Sequence, residues 1–152
     1  GYCLVASSKR GNMRLISVVM GTDSMQARAD QTRALFNWGF SSYETIKPLA
    51  AGKVLGEAQV WFGRESFVKA GLDRDLSITL PRGQKDKVQA VTRLLPDLEA
   101  PIAKGQKVGE VVVTLDGKTI ATQSVVAMEA VEETNFIVRL WHHLKRFLSN
   151  LF

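Results

Sequence analysis

Two apolar, β-branched stretches open the chain, and the polar residues Lys9-Arg10-Gly11-Asn12 separate them. Apolar runs on either side of a short turn that contains glycine are typical of paired strands. The pattern therefore predicts an antiparallel hairpin with strands at residues 2–7 and 13–20.

A helical period follows the predicted hairpin. Asp23 or Ser24 can cap the start of this helix, because a short polar side chain accepts a hydrogen bond from a free backbone N–H there. Gly39 is a natural end, since glycine readily adopts the left-handed conformation that terminates many helices. The side chains that we expect to face inward are those of Met25, Ala29, Thr32, Leu35 and Phe36.

From Phe40 onward the chain consists of short apolar runs bounded by Gly, Pro or Asp. Many short strands with regular turn signals predict an all-β sandwich or barrel. The clearest pair lies at residues 111–115 and 119–126, on either side of Asp116-Gly117. Asp-Gly is a preferred pair for a two-residue hairpin turn in which both positions need a positive φ.

The last residues, 135–152, are strongly apolar, and their charged side chains are all basic. At about 100° per residue, the apolar and the basic side chains of a helix here fall on opposite arcs. The apolar arc consists of Ile137, Leu140, Trp141, Leu144, Phe147, Leu148 and Leu151. The charge of the opposite arc comes from Arg139, Lys145 and Arg146.

Such a helix suits the surface of an anionic membrane. At about 1.5 Å per residue it is roughly 25 Å long, which is short of a bilayer core of about 30 Å. It can lie in the interface instead, where each basic residue adds roughly 1 kcal/mol of attraction to anionic lipid. The alternative is a terminal helix whose apolar face packs on its own β domain. The adjacent His142 and His143 diverge by about 100° and have no third ligand nearby in sequence, so we expect no metal site there.

Composition and charge narrow the function classes only a little. The 152 residues carry a net charge of +5, but no run of basic residues supports a nucleic-acid partner. Cys3 is the single cysteine, which excludes an internal disulfide and a multi-cysteine metal site, and we expect it to pack within its strand. Because Gly1 opens inside the hairpin pattern, we expect the chain to be a piece of a longer protein.

A short match to a catalytic motif does not fit its context. Ser66-Phe67-Val68-Lys69 has the S-x-x-K spacing of the nucleophile in penicillin-recognising enzymes. In those enzymes the motif is helical, so serine and lysine share one face. Here the residues lie in a strand-like stretch, where positions i and i+3 point to opposite sides of a sheet. We therefore expect no chemistry from Ser66.

A series of stretches carries a family resemblance along the whole chain: "GYCLVAS", "MRLISVVMG", "LFNWGFSSYETIKPL", "VWFG", "ITLPRG", "APIAKGQKVG" and "LDGKTI", then the amphipathic tail. The chain resembles the C-terminal part of a low-molecular-mass penicillin-binding protein. The subgroup is the serine-type D-alanyl-D-alanine carboxypeptidases anchored at the bacterial inner membrane. In that family the stretch like "GYCLVAS" closely follows the K-T-G strand, so the resemblance implies a start just downstream of the last catalytic motif.

The resemblance implies a mainly β chain with some α and three parts. Residues 1–40 would be the end of a transpeptidase-like α/β catalytic domain, a hairpin plus a helix. Residues 41–132 would be an all-β, sandwich-like domain that holds the catalytic domain away from the membrane. Residues 133–152 would be an amphipathic membrane-anchor helix. The full protein would be peripheral, on the periplasmic face of the inner membrane.

The resemblance also implies an activity for the full-length protein in peptidoglycan biosynthesis and cell shape. It would acylate a serine with the D-Ala-D-Ala end of a peptidoglycan pentapeptide, release the terminal D-Ala and deacylate with water. β-lactams would acylate the same serine. Neither a cofactor nor a metal is implied. The catalytic motifs lie outside this chain, which would supply the spacer and the anchor and is expected to be inactive alone.

Arg28 is the one residue here that the resemblance places near substrate. It lies at the start of the helix after the hairpin and matches an arginine that the family places near the substrate's terminal carboxylate. A guanidinium is a natural donor to a carboxylate. The alternative is a solvated arginine on a helix surface.

A non-enzymatic function remains an alternative for the whole chain. It would be a β-sandwich binding module whose amphipathic helix binds a partner protein. A hairpin that opens at Gly1 argues against a self-sufficient module. The sequence upstream of Gly1 distinguishes the two hypotheses, since S-x-x-K, S-x-N and K-T-G in that order indicate the enzyme.

Overall fold

The computed structural model describes residues 1–135, 141, 145 and 146, and these residues are mainly β, as the sequence predicts. The chain divides into two compact units. The first, here called the hairpin unit, consists of Gly1–Pro48 and Ser77–Val88. The second, here called the sheet unit, consists of Leu49–Leu76 and Gln89–Phe152. The sandwich-like form and the domain boundaries given above stay predictions.

The hairpin unit begins with two antiparallel strands, β1 (Tyr2–Arg10) and β2 (Met13–Thr22). A two-residue turn at Gly11-Asn12 joins them and sets Arg10 opposite Met13. Gly11 has a φ of 57°, in the left-handed region that glycine adopts without a Cβ clash. The predicted hairpin is confirmed, with longer strands than the pattern indicated.

The helix α1 (Met25–Ser42) follows, and Ser24 caps it. The Ser24 hydroxyl accepts a hydrogen bond of 3.0 Å from the backbone N–H of Ala27. The predicted end at Gly39 is wrong, because α1 continues past it. Gly39 is buried, and a Cβ there would lie 2.5 Å from Cδ1 of Leu15 on β2. Glycine at this position therefore permits close packing of the helix on the hairpin.

The predicted inward face of α1 is only partly correct. Thr32 is buried and Phe36 is half-buried, but Met25 and Leu35 are exposed. Phe40 is buried in their place. The helix packs mainly on β1 and β2, and a two-stranded hairpin is too narrow to cover the broad arc that the sequence pattern indicated.

The residues after α1 form a series of short strands, as predicted. They are β3 (Tyr43–Leu49), β4 (Val54–Trp61), β5 (Phe67–Gly71), β6 (Leu76–Pro81), β7 (Val88–Leu94), β8 (Leu98–Glu99), β9 (Lys107–Leu115) and β10 (Lys118–Ala127). The strands β3 and β6 form a two-stranded sheet. The others form a six-stranded sheet in the order β7-β9-β10-β5-β4-β8.

The sheet unit has an aliphatic core that comes mainly from β5, β9 and β10. The turn between β9 and β10 confirms the Asp-Gly prediction, since Asp116 and Gly117 have φ angles of 49° and 79° and Leu115 faces Lys118. Alternate residues of the strands point inward, which is the period of two expected for a strand with one buried face. The fully buried valines are Val68, Val108, Val111, Val113 and Val125.

Candidate functional site

Arg28 lies near the start of α1 and is half-buried. Its Nη1 donates a hydrogen bond of 2.9 Å to the carbonyl oxygen of Cys3. Its guanidinium carbon lies 6.0 Å from the ring centroid of Tyr2. A guanidinium has five N–H donors, so a residue held in this way can also bind a carboxylate. Its predicted role toward substrate stays a prediction.

The hairpin has an apolar face that α1 does not cover, here called the outer face. It consists of Val5, Ile16, Val18 and Met20, which are 57–74% exposed. Val5 and Val18 are directly opposite each other in the β1–β2 ladder. Cys3 is also exposed, contrary to its predicted packing role. A contiguous apolar patch of this kind is typical of a surface that contacts another part of a protein.

The Ser66–Lys69 match lies where the sequence predicted, in and beside a strand. Ser66 directly precedes β5, and Lys69 lies within it, opposite Glu57 of β4. Both side chains are exposed. Since a strand turns positions i and i+3 to opposite faces, the pair does not have the helical geometry of a serine nucleophile and its lysine.

The structure describes part of the predicted membrane-anchor set. Trp141 is 68% exposed, and Lys145 is also exposed. The other members except Arg146 lie outside the described residues: Ile137, Arg139, Leu140, Leu144, Phe147, Leu148 and Leu151. Within the described part of the chain, none of the helices has the length and hydropathy needed to cross a bilayer.

Arg146 is held at an unpredicted place on the sheet unit. It donates a hydrogen bond to Oε1 of Glu99, and its Nη2 lies 3.9 Å from Oδ1 of Asp97. Its guanidinium carbon lies 5.8 Å from the ring centroid of Trp61. The sequence carries no local signal for this cluster, because Glu99 and Arg146 are 47 residues apart.

Comparisons with known proteins agree on one family. Residues 43–133 match the family model described as "Penicillin-binding protein 5, C-terminal domain". The D-alanyl-D-alanine carboxypeptidase DacA of Haemophilus influenzae is 42% identical over 154 aligned residues, which cover 100% of this chain and 39% of that protein. DacA of Escherichia coli K12 is 38% identical, with 100% and 38% covered.

A solved structure gives the same result. The crystal structure of penicillin-binding protein 5 from Haemophilus influenzae has a TM-score of 0.79 and 45% sequence identity, covering 88% of this chain and 39% of that one. The chain thus spans about two fifths of the length of these relatives. The chain belongs to the penicillin-binding protein 5 C-terminal domain family and is the C-terminal part of a D-alanyl-D-alanine carboxypeptidase-like protein.

Proposed function

We propose that this chain is the spacer and membrane anchor of a periplasmic D-alanyl-D-alanine carboxypeptidase. The full protein removes the terminal D-Ala from peptidoglycan pentapeptides through an acyl-serine and binds penicillins at that serine. In this proposal residues 1–40 end the catalytic domain, 41–132 form the spacer and 133–152 form the anchor. The observation that carries it is the similarity of the entire chain to relatives named for this activity.

The outer face of the hairpin supports the assignment of residues 1–40. The strand β2 is apolar on both faces, a pattern typical of strands buried on both sides. The helix α1 covers one face, with Met13 and Val19 buried, while Ile16 and Val18 remain exposed. We therefore assign the outer face to contact with the catalytic part of the longer protein, since this chain covers only 39% of the Haemophilus influenzae relative.

An activity assay on the longer protein tests this function. We expect it to release D-Ala from a peptide that ends in D-Ala-D-Ala and to become covalently labelled by a fluorescent penicillin. The 152-residue chain alone is the matched control and is expected to do neither. A longer protein that is folded but inactive in both assays would contradict the proposal.

Arg28 is proposed to bind the terminal carboxylate of the substrate. Its bond to the Cys3 carbonyl fixes the guanidinium beside the start of β1. Charge-assisted bonds of this type contribute about 1.5–3 kcal/mol, so Arg28→Gln in the longer protein should lower kcat/KM about tenfold or more. With a substrate whose terminal carboxylate is amidated, the difference in kcat/KM between Arg28→Gln and the unsubstituted protein should largely disappear. Arg33→Gln, on the same helix, is the control and should leave kcat/KM unchanged; an equal loss on both substrates would indicate a structural role.

The tail is proposed to lie in the membrane interface. Trp141 supports this, since a large exposed aromatic side chain is suited to the headgroup region. The chain and a version that ends at Val131 should be sedimented with anionic and with neutral vesicles. Only the longer one should pellet, more with anionic lipid and less at high salt, because salt screens the basic charges. If both stay in solution, the anchor assignment is wrong while the family stands.

A further inference from the structure

We propose that Trp61, Asp97 and Glu99 form a guanidinium-binding site on the sheet unit, here called the latch site, which holds Arg146 of the same chain. In this arrangement carboxylates of the protein and phosphates of lipid compete for one tail cation. The latch site thereby lowers the membrane affinity of the tail until an anionic surface is present. Its effect on membranes rests on the proposed anchor, whereas its binding of Arg146 does not.

The sheet register builds the latch site. Trp61 and Glu99 are paired positions in the parallel ladder between β4 and β8. Asp97 comes two positions before Glu99, with buried Leu98 between them. Asp97 lies in the bend that precedes β8, with a positive φ of 57°, and its Oδ1 lies 3.9 Å from Nη2 of Arg146. The backbone pairing of β4 with β8 and the bend before β8 therefore bring the ring and the two carboxylates together at this edge of the sheet.

The chemistry of the latch site fits a guanidinium better than an ammonium. One nitrogen of Arg146 faces Glu99, another faces Asp97, and the planar group lies near an aromatic ring. A guanidinium offers several N–H donors in a fixed plane and also binds aromatic faces, while an ammonium is a compact charge. The Arg146 side chain is 29% exposed, against 61% for Asp97 and 53% for Glu99, so the cation is the enclosed partner.

The attraction of Arg146 to the latch site and its attraction to anionic lipid are of similar strength. An anionic membrane can therefore draw Arg146 out of the latch site. An exposed ion pair contributes little on its own, and here two carboxylates and a ring share one cation. The attraction of a single basic residue to an anionic membrane is also modest. When only the undocked fraction of tails can bind, the apparent affinity falls in proportion to that fraction.

Sedimentation with anionic vesicles tests the competition in the full chain. The double variant Asp97→Asn, Glu99→Gln removes both carboxylates while keeping their size, and Asn tolerates the positive φ of Asp97. We expect its vesicle partition coefficient to rise about threefold to tenfold. The control Asp73→Asn, Glu129→Gln changes two exposed acidic residues of the same unit and shifts the net charge equally. If the control rises as much as the double variant, general charge explains the gain and the latch is excluded.

A second measurement needs no lipid and keeps the failure of the latch distinct from that of the anchor. Urea unfolding of Arg146→Gln, Glu99→Gln and the combined variant forms a double-mutant cycle. We expect the unfolding equilibrium constants to show a coupling of about twofold to fivefold. Coupling without any vesicle binding would overturn the anchor and keep the site. Vesicle binding without coupling would overturn the latch and keep the anchor.

Discussion

The two units differ in how far the valine side chains of their strands are buried. In the sheet unit, Val111 and Val113 of β9 and Val125 of β10 are fully buried, at 0% exposure. In the hairpin unit, Val5 and Val18 have the same chemistry and the same extended backbone, yet they are 69% and 57% exposed. The sheet unit thus buries these three valines itself, whereas the hairpin unit leaves one apolar face of its hairpin exposed.

The interiors of the two units differ in the same sense. The buried hydroxyls of Ser17 and Thr32 in the hairpin unit have no hydrogen-bond partner among the described residues. In the sheet unit, buried Gln123 donates a hydrogen bond of 3.0 Å to the carbonyl of Arg74. Burying a polar group without a partner costs stability, so the hairpin unit has the less complete interior. Both differences are expected if the hairpin unit is one part of a larger domain.

The largest test of this comparison introduces a charge on each kind of strand face. Val111→Asp should destabilise the chain by more than about 4 kcal/mol, since it buries a carboxylate without a partner. Val18→Asp should cost at most about 1 kcal/mol in this chain, because its side chain stays in water. Urea unfolding followed by circular dichroism measures both variants.

Val18→Asp in the longer protein sharpens the comparison. There Val18→Asp should cost about as much as Val111→Asp, because the outer face is proposed to be covered. If Val18→Asp costs equally little stability in this chain and in the longer protein, the outer face remains in solvent there. That result would contradict the assignment of the outer face to the catalytic domain.

A substitution at Gly109 of β9 tests how closely this strand packs against the backbone of Arg93 in the sheet unit. A Cβ at Gly109 would lie 2.5 Å from the carbonyl oxygen of Arg93, which is backbone and cannot move freely. Gly109→Ala should therefore cost about 1–3 kcal/mol in urea unfolding. Gly56→Ala is the control, since its Cβ would meet only Cδ1 of Leu94 at 3.4 Å. Gly56→Ala should leave the free energy of unfolding unchanged or raise it by up to about 1 kcal/mol. If both variants lose similar stability, the close backbone approach at Gly109 is contradicted.

A substitution that stabilises the hairpin unit tests its incomplete interior. Thr32→Val removes an unpaired buried hydroxyl at nearly equal volume and helix propensity, so it should raise the free energy of unfolding by about 1 kcal/mol. Thr22→Val is the matched control, because the Thr22 hydroxyl donates a 3.1 Å hydrogen bond to the Tyr2 carbonyl. It should lower stability by about 1 kcal/mol. A loss of stability in both variants would show that Thr32 has a partner in solution.

The smallest effects are expected on the surfaces, where the two units should behave alike. The ion pairs Arg33–Asp30 and Arg64–Glu132 have side chains at least half exposed on both partners. Water screens such pairs, so Arg33→Gln and Arg64→Gln should each change the free energy of unfolding by less than about 0.5 kcal/mol. A larger loss at either position would show that the surfaces differ as the cores do.

Local patterns predicted the elements well and their packing less well. The hairpin, the cap at Ser24 and the Asp116-Gly117 turn depend on neighbouring residues, so the sequence was sufficient for them. The end of α1 and the exposure of Leu35 were predicted wrongly. Both depend on how much of the helix a two-stranded hairpin can cover, which is a property of the assembled unit.

The amino-acid sequence by itself determined the mainly β character, the order of the elements and the family, because these follow from local propensity and from similarity along the chain. Only the tertiary structure decided which apolar faces are covered and where Arg146 binds. The latch site requires Trp61 and Glu99 to be paired across two strands and Arg146 to reach them from a distant part of the chain. Contacts of that kind depend on register and on long-range packing, which no local pattern of residues encodes.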